Sequence, residues 1–304
     1  MKRYFSIILV ALSFLSASIY AQQAPHYTQF MYNMNMVNPA YAGIKNGLAG
    51  GILYRTQWVG QAGHPETFTF NVHSRMGQQM GIGLSALKDQ FGPVDQTGVK
   101  LDYSYTLELG KGNNLAFGLN VGANFLNVDL PSLVVIHPND PLLAQALDET
   151  GITYGAGLFF YSDKYYISLS APNLNTQGYK LLNSNYDQGN AIHYFLAGGY
   201  VFDLSNNFKL KPNFMAYQAI GSPFAVSLNA NLFMYDKVEV GLSYRVGDSF
   251  SGLVNFLISE NLRVGYAYDR TTSSMSLYSP NSHEVFLNFE IPYKKKRLIS
   301  PIYF

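Results

Sequence analysis

Residues 114–125 read Asn114-Leu115-Ala116-Phe117-Gly118-Leu119-Asn120-Val121-Gly122-Ala123-Asn124-Phe125. Leu115, Phe117, Leu119, Val121, Ala123 and Phe125 occupy every second position, and the residues between them are small or polar. A period of two belongs to a β-strand with one apolar and one polar face. The pattern recurs on both sides of this stretch. Val99, Leu101, Tyr103, Tyr105 and Leu107 alternate with Lys100, Asp102, Ser104, Thr106 and Glu108, and Val238, Val240, Leu242, Tyr244 and Val246 alternate with Glu239, Gly241, Ser243, Arg245 and Gly247. The run from Val285 to Ile291 alternates too, except that Phe286 breaks its polar face.

Soluble sandwiches show the same alternation, with the apolar face as their core. Strand length and loop asymmetry separate the cases. Several segments reach the roughly 9 to 11 residues that cross a bilayer when tilted, against about 5 to 6 for an average strand. Tight connections fall near Gly77–Gln79, Gly110–Asn114, Ser162–Lys164, Ser205–Asn207, Tyr235–Lys237 and Ser259–Asn261. Between them lie longer ones near Val59–Pro65, Lys88–Gln96, Asn127–Thr150, Pro172–Asn190 and Arg270–His283, with two short exceptions near Gly221 and Asp248. Short turns on one rim and long loops on the other belong to outer-membrane barrels, with the short turns periplasmic. The expectation is an all-β chain forming a single transmembrane antiparallel β-barrel of about 14 strands. An even count puts both ends on the periplasmic side. The chain then divides into a signal peptide (1–21), a periplasmic N-terminal segment (22–47), the barrel (48–291) and a periplasmic C-terminal tail (292–304).

Composition agrees with that division. Charged residues make up 13% and aromatics 15%, and the mean hydropathy is -0.00. A soluble domain is about 25% charged, so this chain has few charges with which to cover a surface in water. Past the leader, no apolar run approaches the roughly 20 residues of a spanning helix. The formal net charge of +1 argues against nucleic acid as a partner. Lys2 and Arg3, the apolar stretch Tyr4 to Ala17, and Ala21 before Gln22 form a secretory leader, although Ile19 makes the cleavage motif imperfect. With no cysteine, neither a disulfide framework nor a lipidated N-terminal cysteine is possible.

The sequence offers little chemistry. None of His26, His64, His73, His137, His193 and His283 has metal-pair spacing, and there is no phosphate loop or nucleophile elbow. Asp148 and Glu149 read as solvated loop residues. His73 and Asp102 could meet across a barrel, as a barrel hydrolase requires. Gly81 with Gly83, and Gly118 with Gly122, read as relief of crowding in the lumen. Tyr103 with Tyr105, Tyr165 with Tyr166, and Tyr266 with Tyr268 read either as interfacial girdles or as ordinary strand tyrosines. No enzyme and no cofactor are expected.

Three segments are more specific: Tyr27-Thr28-Gln29-Phe30-Met31-Tyr32-Asn33, Asn38-Pro39-Ala40-Tyr41-Ala42-Gly43, and Arg55-Thr56-Gln57-Trp58-Val59-Gly60, followed by Pro65 and Thr67. Together they resemble the PorP/SprF family of type IX secretion system membrane proteins. Thr28 and Thr56 stand where the family pattern has Ser, and Asp89 and Gly92 extend the similarity less specifically. The resemblance implies an outer-membrane barrel of Bacteroidota that meets the secretion machinery on its periplasmic side. Such a barrel supports export or surface attachment of a secreted protein such as an adhesin, in some relatives for gliding motility. A passive channel or hydrophobic-solute transporter is the alternative, and a hydrolase a third. The partner-binding candidates are Tyr27, Phe30, Tyr32, Asn38, Pro39, Tyr41, Gly43, Arg55, Gln57, Trp58 and the basic run Lys294, Lys295, Lys296 and Arg297. The segment around Asn38-Pro39 could plug the lumen, bind a periplasmic protein or pack on the lower rim. Membrane lipid is the remaining partner.

Overall fold

The computed structural model describes residues 26–132, 146–175, 178–180, 187–189, 192–219, 222, 224–277 and 281–293. The chain is an up-and-down meander of 14 antiparallel strands closed into a barrel. The strands are β1 (Gly47–Thr56), β2 (Glu66–Met76), β3 (Met80–Phe91), β4 (Val94–Gly110), β5 (Asn113–Asp129), β6 (Ala146–Tyr161), β7 (Tyr165–Ala171), β8 (His193–Tyr200, continued by Phe202–Ser205), β9 (Phe208–Ala219), β10 (Ala225–Met234), β11 (Val238–Arg245), β12 (Ser249–Ser259), β13 (Leu262–Thr271) and β14 (Asn281–Pro292). Closure comes from β1 pairing with β14, Gly47 opposite Pro292 through Thr56 opposite His283. A small ribbon, Gly178–Lys180 against Asp187–Gly189, stands in the β7–β8 connection.

The faces are inverted relative to a soluble sandwich. On β5, Leu119 is 62% exposed and points outward, whereas its neighbour Asn120 is 7% exposed and points inward. Leu101 and Tyr103 on β4, and Leu242 and Tyr244 on β11, are exposed in the same way. In hydrocarbon every backbone polar group must pair within the protein, and a closed barrel satisfies that. Its apolar outer belt is then covered by lipid.

Two expected loops are shorter than their sequence suggested. The Lys88–Gln96 stretch is paired strand up to Phe91 opposite Val94, leaving Gly92 and Pro93 as the turn. In Asn127–Thr150, β5 and β6 pair out to Asp129 opposite Ala146, so Asp148 and Glu149 lie on β6 rather than in a loop. Alternation continues there through Val128 and Leu147, which extends the ladder above the membrane belt. The leader and the basic run Lys294–Arg297 fall outside the described residues.

Of the three placements open to the segment around Asn38-Pro39, the structure shows the plug. From His26 onward the chain enters the lumen through three short helical turns, Phe30–Tyr32, Met34–Val37 and Pro39–Tyr41. Thr28 meets Asp269 and Glu284 toward the long-loop ends of β13 and β14. Tyr32 reaches Glu239 and Arg263 near the short-turn ends of β11 and β13. Val37 is back at Ser170 near the long-loop end of β7, and Gly43 descends to His73 and Arg75. The plug thus runs down, up and down again before β1 begins. Its Phe30, Met31, Met34, Val37 and Tyr41 form an internal apolar core with Phe159, Tyr166, Phe195, Met215 and Phe286 of the wall. Tyr166 therefore belongs to this core and not to an interfacial girdle, stacking on Phe159 at 5.4 Å. Phe286, the break in alternation on β14, stacks on Tyr32 at 4.8 Å.

Close packing of plug on wall needs glycine. A Cβ on Gly118 of β5 would collide with the Ala40 backbone, and one on Gly81 of β3 with the Ala42 carbonyl.

Replacing Leu119 with Arg should cost about 2 to 4 kcal/mol, since a charge then sits at mid-membrane on the lipid face; folded yield read from heat-modifiable gel mobility checks it. Asn120 is buried on the inward face two residues from Gly118, which abuts Ala40, so Asn120→Arg, gentle in an open lumen, should also impair folding here, through overpacking. Gly118→Val should leave the barrel heat-modifiable while unseating the plug. An added protease should then cut within 26–46, and the purified barrel should conduct in a planar bilayer.

Candidate functional site: a plugged lumen and its outer vestibule

The first motif anchors the plug's upper end. Arg55 on β1 is 2% exposed, with Nη2 2.6 Å from Asp269 and Nη1 3.1 Å from Glu284. Burying an ion pair is costly unless the remaining donors and acceptors are filled. Here Thr28 and Gln29 fill most of them, and Arg55 Nε is left buried without a hydrogen-bond partner. The Thr28 hydroxyl donates to Asp269 and accepts from Arg55 at 3.0 Å, while the Thr28 N–H and that of Gln29 donate to Glu284 at 2.9 and 2.8 Å.

Tyr32 is held at the lower end by a second charged cluster. Its hydroxyl donates to Glu239 at 2.6 Å and accepts from Lys211 at 3.0 Å and Arg263 at 2.9 Å. Lys211 also pairs directly with Glu239. Both cations lie over the Tyr32 ring, 5.5 and 4.9 Å from its centroid, a geometry that adds cation–π attraction.

The second motif can be read residue by residue. Asn38 caps the turn Pro39–Tyr41 by accepting from the Ala40 N–H at 2.9 Å, and its amide donates to Leu158 O and Ser168 Oγ. Pro39 suits the first helical position, where no N–H is needed. Ala40 is small enough to lie against Gly118. Tyr41 wedges edge-on between His73 and Phe159. Gly43, at φ +72, approaches the Gly81 backbone where a side chain has no room.

Among the described residues, and besides the Asn38 bond to Leu158 O, nine hydrogen bonds join wall side chains to the main chain of the plug. Those besides the two to Glu284 run from Asn229 to Thr28 O, Asn288 to Tyr32 O, Ser170 to Val37 O, Ser104 to Ala42 O, Gly43 N–H to His73, and Arg75 to Gly43 O and Ile44 O. The wall therefore recognises main chain as well as side chains.

The third motif leaves the plug for the rim. Gln57 N–H bonds Pro65 O at 2.9 Å and Val59 N–H bonds Asn281 O at 3.1 Å, which closes the β1–β2 loop. Thr67 donates to Asp89 at 2.5 Å, which explains the aspartate downstream. Trp58 lies between these bonds at φ 53 and meets Phe91 edge-on at 6.4 Å. It lines a cavity of about 520 Å3 that is floored by His26, Tyr27, Met36 and Val37 of the plug. Burial, with Arg245 and Arg55 nearby, holds the His26 pKa well below the usual imidazole range. The neutral ring shares a hydrogen bond with Tyr217 at 2.9 Å.

The candidates thus separate. Tyr27, Phe30, Asn38, Pro39, Tyr41, Gly43 and Arg55 are buried against the wall, and Tyr32 nearly so. Gln57 and Trp58 line the outer vestibule. The sequence reading missed Lys211, Glu239, Arg263, Asp269 and Glu284. Their signal was isolated charge on the polar face of a spanning strand, where each charge needs a named partner. His73 and Asp102 do not pair as a hydrolase would need. Asp102 accepts from Asn35 at 3.0 Å, while His73 Nδ1 accepts from Gly43. Among the described residues no cluster of metal-ligating side chains occurs.

Comparison with solved structures agrees with this architecture. The CymD monoaromatic hydrocarbon channel is 12% identical with a TM-score of 0.50, over 90% of this chain and 95% of that one. The P. putida toluene transporter TodX is 9% identical with a TM-score of 0.48, over 92% and 96%. A Pseudomonas aeruginosa FadL homologue is 11% identical with a TM-score of 0.48, over 88% and 95%. At such identity the CymD likeness speaks for the barrel fold alone. No curated protein sequence matches. The family profile described as type IX secretion system membrane protein PorP/SprF matches residues 19–289, which takes in the plug, its clamps and nearly the whole barrel. This outer-membrane β-barrel therefore belongs to the PorP/SprF family.

Proposed function

We propose that this barrel is a non-enzymatic accessory of type IX secretion, supporting export or surface attachment of one or a few secreted proteins such as adhesins. The observation that carries the reading is the lumen filled by the chain's own segment 26–46 and held through main-chain hydrogen bonds. A lumen so occupied is suited to polypeptide contact rather than to solute flow. The three segments that carry the family resemblance are the ones that build the plug and its anchors. The long-loop rim, with the connections within Asn127–Thr150 and Pro172–Asn190, faces the secreted partner, since loops carry recognition. The basic run Lys294–Arg297 meets the periplasmic machinery or anionic headgroups by charge. The chain reaches the membrane through its cleaved leader.

A clean deletion should lower the surface amount of one or a few exported proteins, measured by surface proteomics, and leave small-solute uptake unchanged. Normal surface proteins with lost uptake would overturn the reading in favour of a transporter. Replacing residues 130–145 with a two-residue turn should keep the barrel heat-modifiable yet abolish copurification of the surface protein, because strand pairing does not depend on that connection.

A further inference from the structure

The outer vestibule has two unlike walls. On the β3–β5 side Leu87, Phe91, Val94 and Leu126 form an apolar patch among Ser85, Asp89, Gln96, Lys100 and Asn124, and on the β11–β13 side Arg245, Asp248, Ser249, Asp269 and Thr271 are all polar. Its volume of about 520 Å3 is within the range of roughly 300 to 1,000 Å3 typical of ligand pockets. We propose that it binds an extended polypeptide segment bearing an aromatic or aliphatic anchor, so that vestibule and lumen form one continuous peptide-binding surface with the plug as resident occupant of the lower part. The proposal deepens, and rests on, the reading of the barrel as a secretion accessory.

Three observations converge on polypeptide. Directly below, the wall already binds main chain at Thr28, Gln29 and Val37 through four hydrogen bonds, and the vestibule floor is itself polypeptide, Tyr27 and Val37 of the plug. An extended chain presents alternate side chains to opposite sides, which matches an apolar patch on one side facing an all-polar side; a hydrocarbon would use only the patch. The charges facing the cavity balance, three against three: Arg55 faces Asp269 at 2.6 Å and Arg245 faces Asp248 at 2.9 Å, while Lys100 donates to Asn173 and Asp89 accepts from Thr67. A strongly anionic ligand is therefore not selected.

Trp58 gives the mouth its built character. A bulky residue at φ 53 is a backbone outlier, and such conformations persist where surrounding bonds over-determine them. Its own N–H donates to Ser282 at 3.3 Å, and the N–H groups on either side of it bond Pro65 and Asn281. Strand pairing does not require an indole there. What the conformation achieves is to set the ring beside Phe91 at the apolar patch.

Trp58 is the only tryptophan of the chain, so its emission reports on the vestibule alone. The full-length protein in detergent is titrated with a pool of end-capped octapeptides carrying a fixed Phe or Leu, and in parallel with toluene and with a neutral oligosaccharide. The peptide pool should shift the Trp58 emission saturably. Phe91→Ala, or Leu87→Ser as a second variant, should weaken the response tenfold or more while the heat-modifiable mobility is kept. Lys164→Ala on the opposite rim should change nothing. Saturation by toluene or the oligosaccharide but not by peptide, no saturable shift with any probe, or a full response from both folded variants would each overturn the proposal. Peptide binding in a protein whose deletion leaves every surface protein in place would sink the secretion reading alone. Loss of surface proteins without peptide binding would sink this inference alone.

Discussion

Hydrocarbon offers a backbone no hydrogen-bond partner, and the rest of this molecule follows from that condition. Each strand must be paired along both edges, so the first strand must meet the last, and β1 pairs with β14 over its whole length. Closure turns one side of every strand toward lipid and the other into a confined space. The outward side becomes Leu, Ile, Val, Phe and Tyr. The inward side is left to Ser, Thr, Asn and a few charges, which a dry interior could not leave unmet.

The plug answers that second demand. Its main-chain groups are themselves donors and acceptors, and the inward Asn, Ser, His, Arg and Glu side chains pair with them. Its apolar residues, Phe30, Met31, Met34 and Val37, collect in the middle with the few apolar wall residues, Phe159, Phe195 and Phe286 among them. Two clusters of inward charge, Arg55 with Asp269 and Glu284 above and Glu239 with Lys211 and Arg263 below, meet the plug. Losing one partner from a buried pair typically costs about 3 to 5 kcal/mol. Each cluster thus pins one point of the plug, Thr28 or Tyr32, to the wall.

Period-two alternation and tight turns made the barrel legible, because both signals are local and repeat along the chain. Its strand count and the faces of β4, β5 and β11 follow directly from them. The plug was not legible in the same way. Tyr27–Gly43 has no period, and each contact that places it lies far away along the chain; Thr28 and Glu284 are separated by 256 positions. One clue was present without its meaning: Phe286 broke the polar face of β14 because it stacks on Tyr32. Loop lengths near Lys88–Gln96 and Asn127–Thr150 were overestimated because polar residues on a strand that rises above the lipid look like loop. The family resemblance pointed to the right segments, but only the geometry shows that Asn38 is a cap, Ala40 a spacer against Gly118, and Arg55 the centre of an ion cluster.

The separation between Thr28 and Glu284 also orders the events of assembly. The receptor for the plug's first residues is built from β13 and β14, the last strands to be made. Non-local contacts of this kind form late because the intervening chain must be ordered before they reward it. Until β14 arrives, Phe30, Met31, Met34 and Val37 have no complete wall to enter and stay available to other apolar surfaces. The barrel is then obliged to keep its own N-terminal segment waiting at an open seam. The last strand both closes the wall and supplies the carboxylate that holds Thr28 and Gln29.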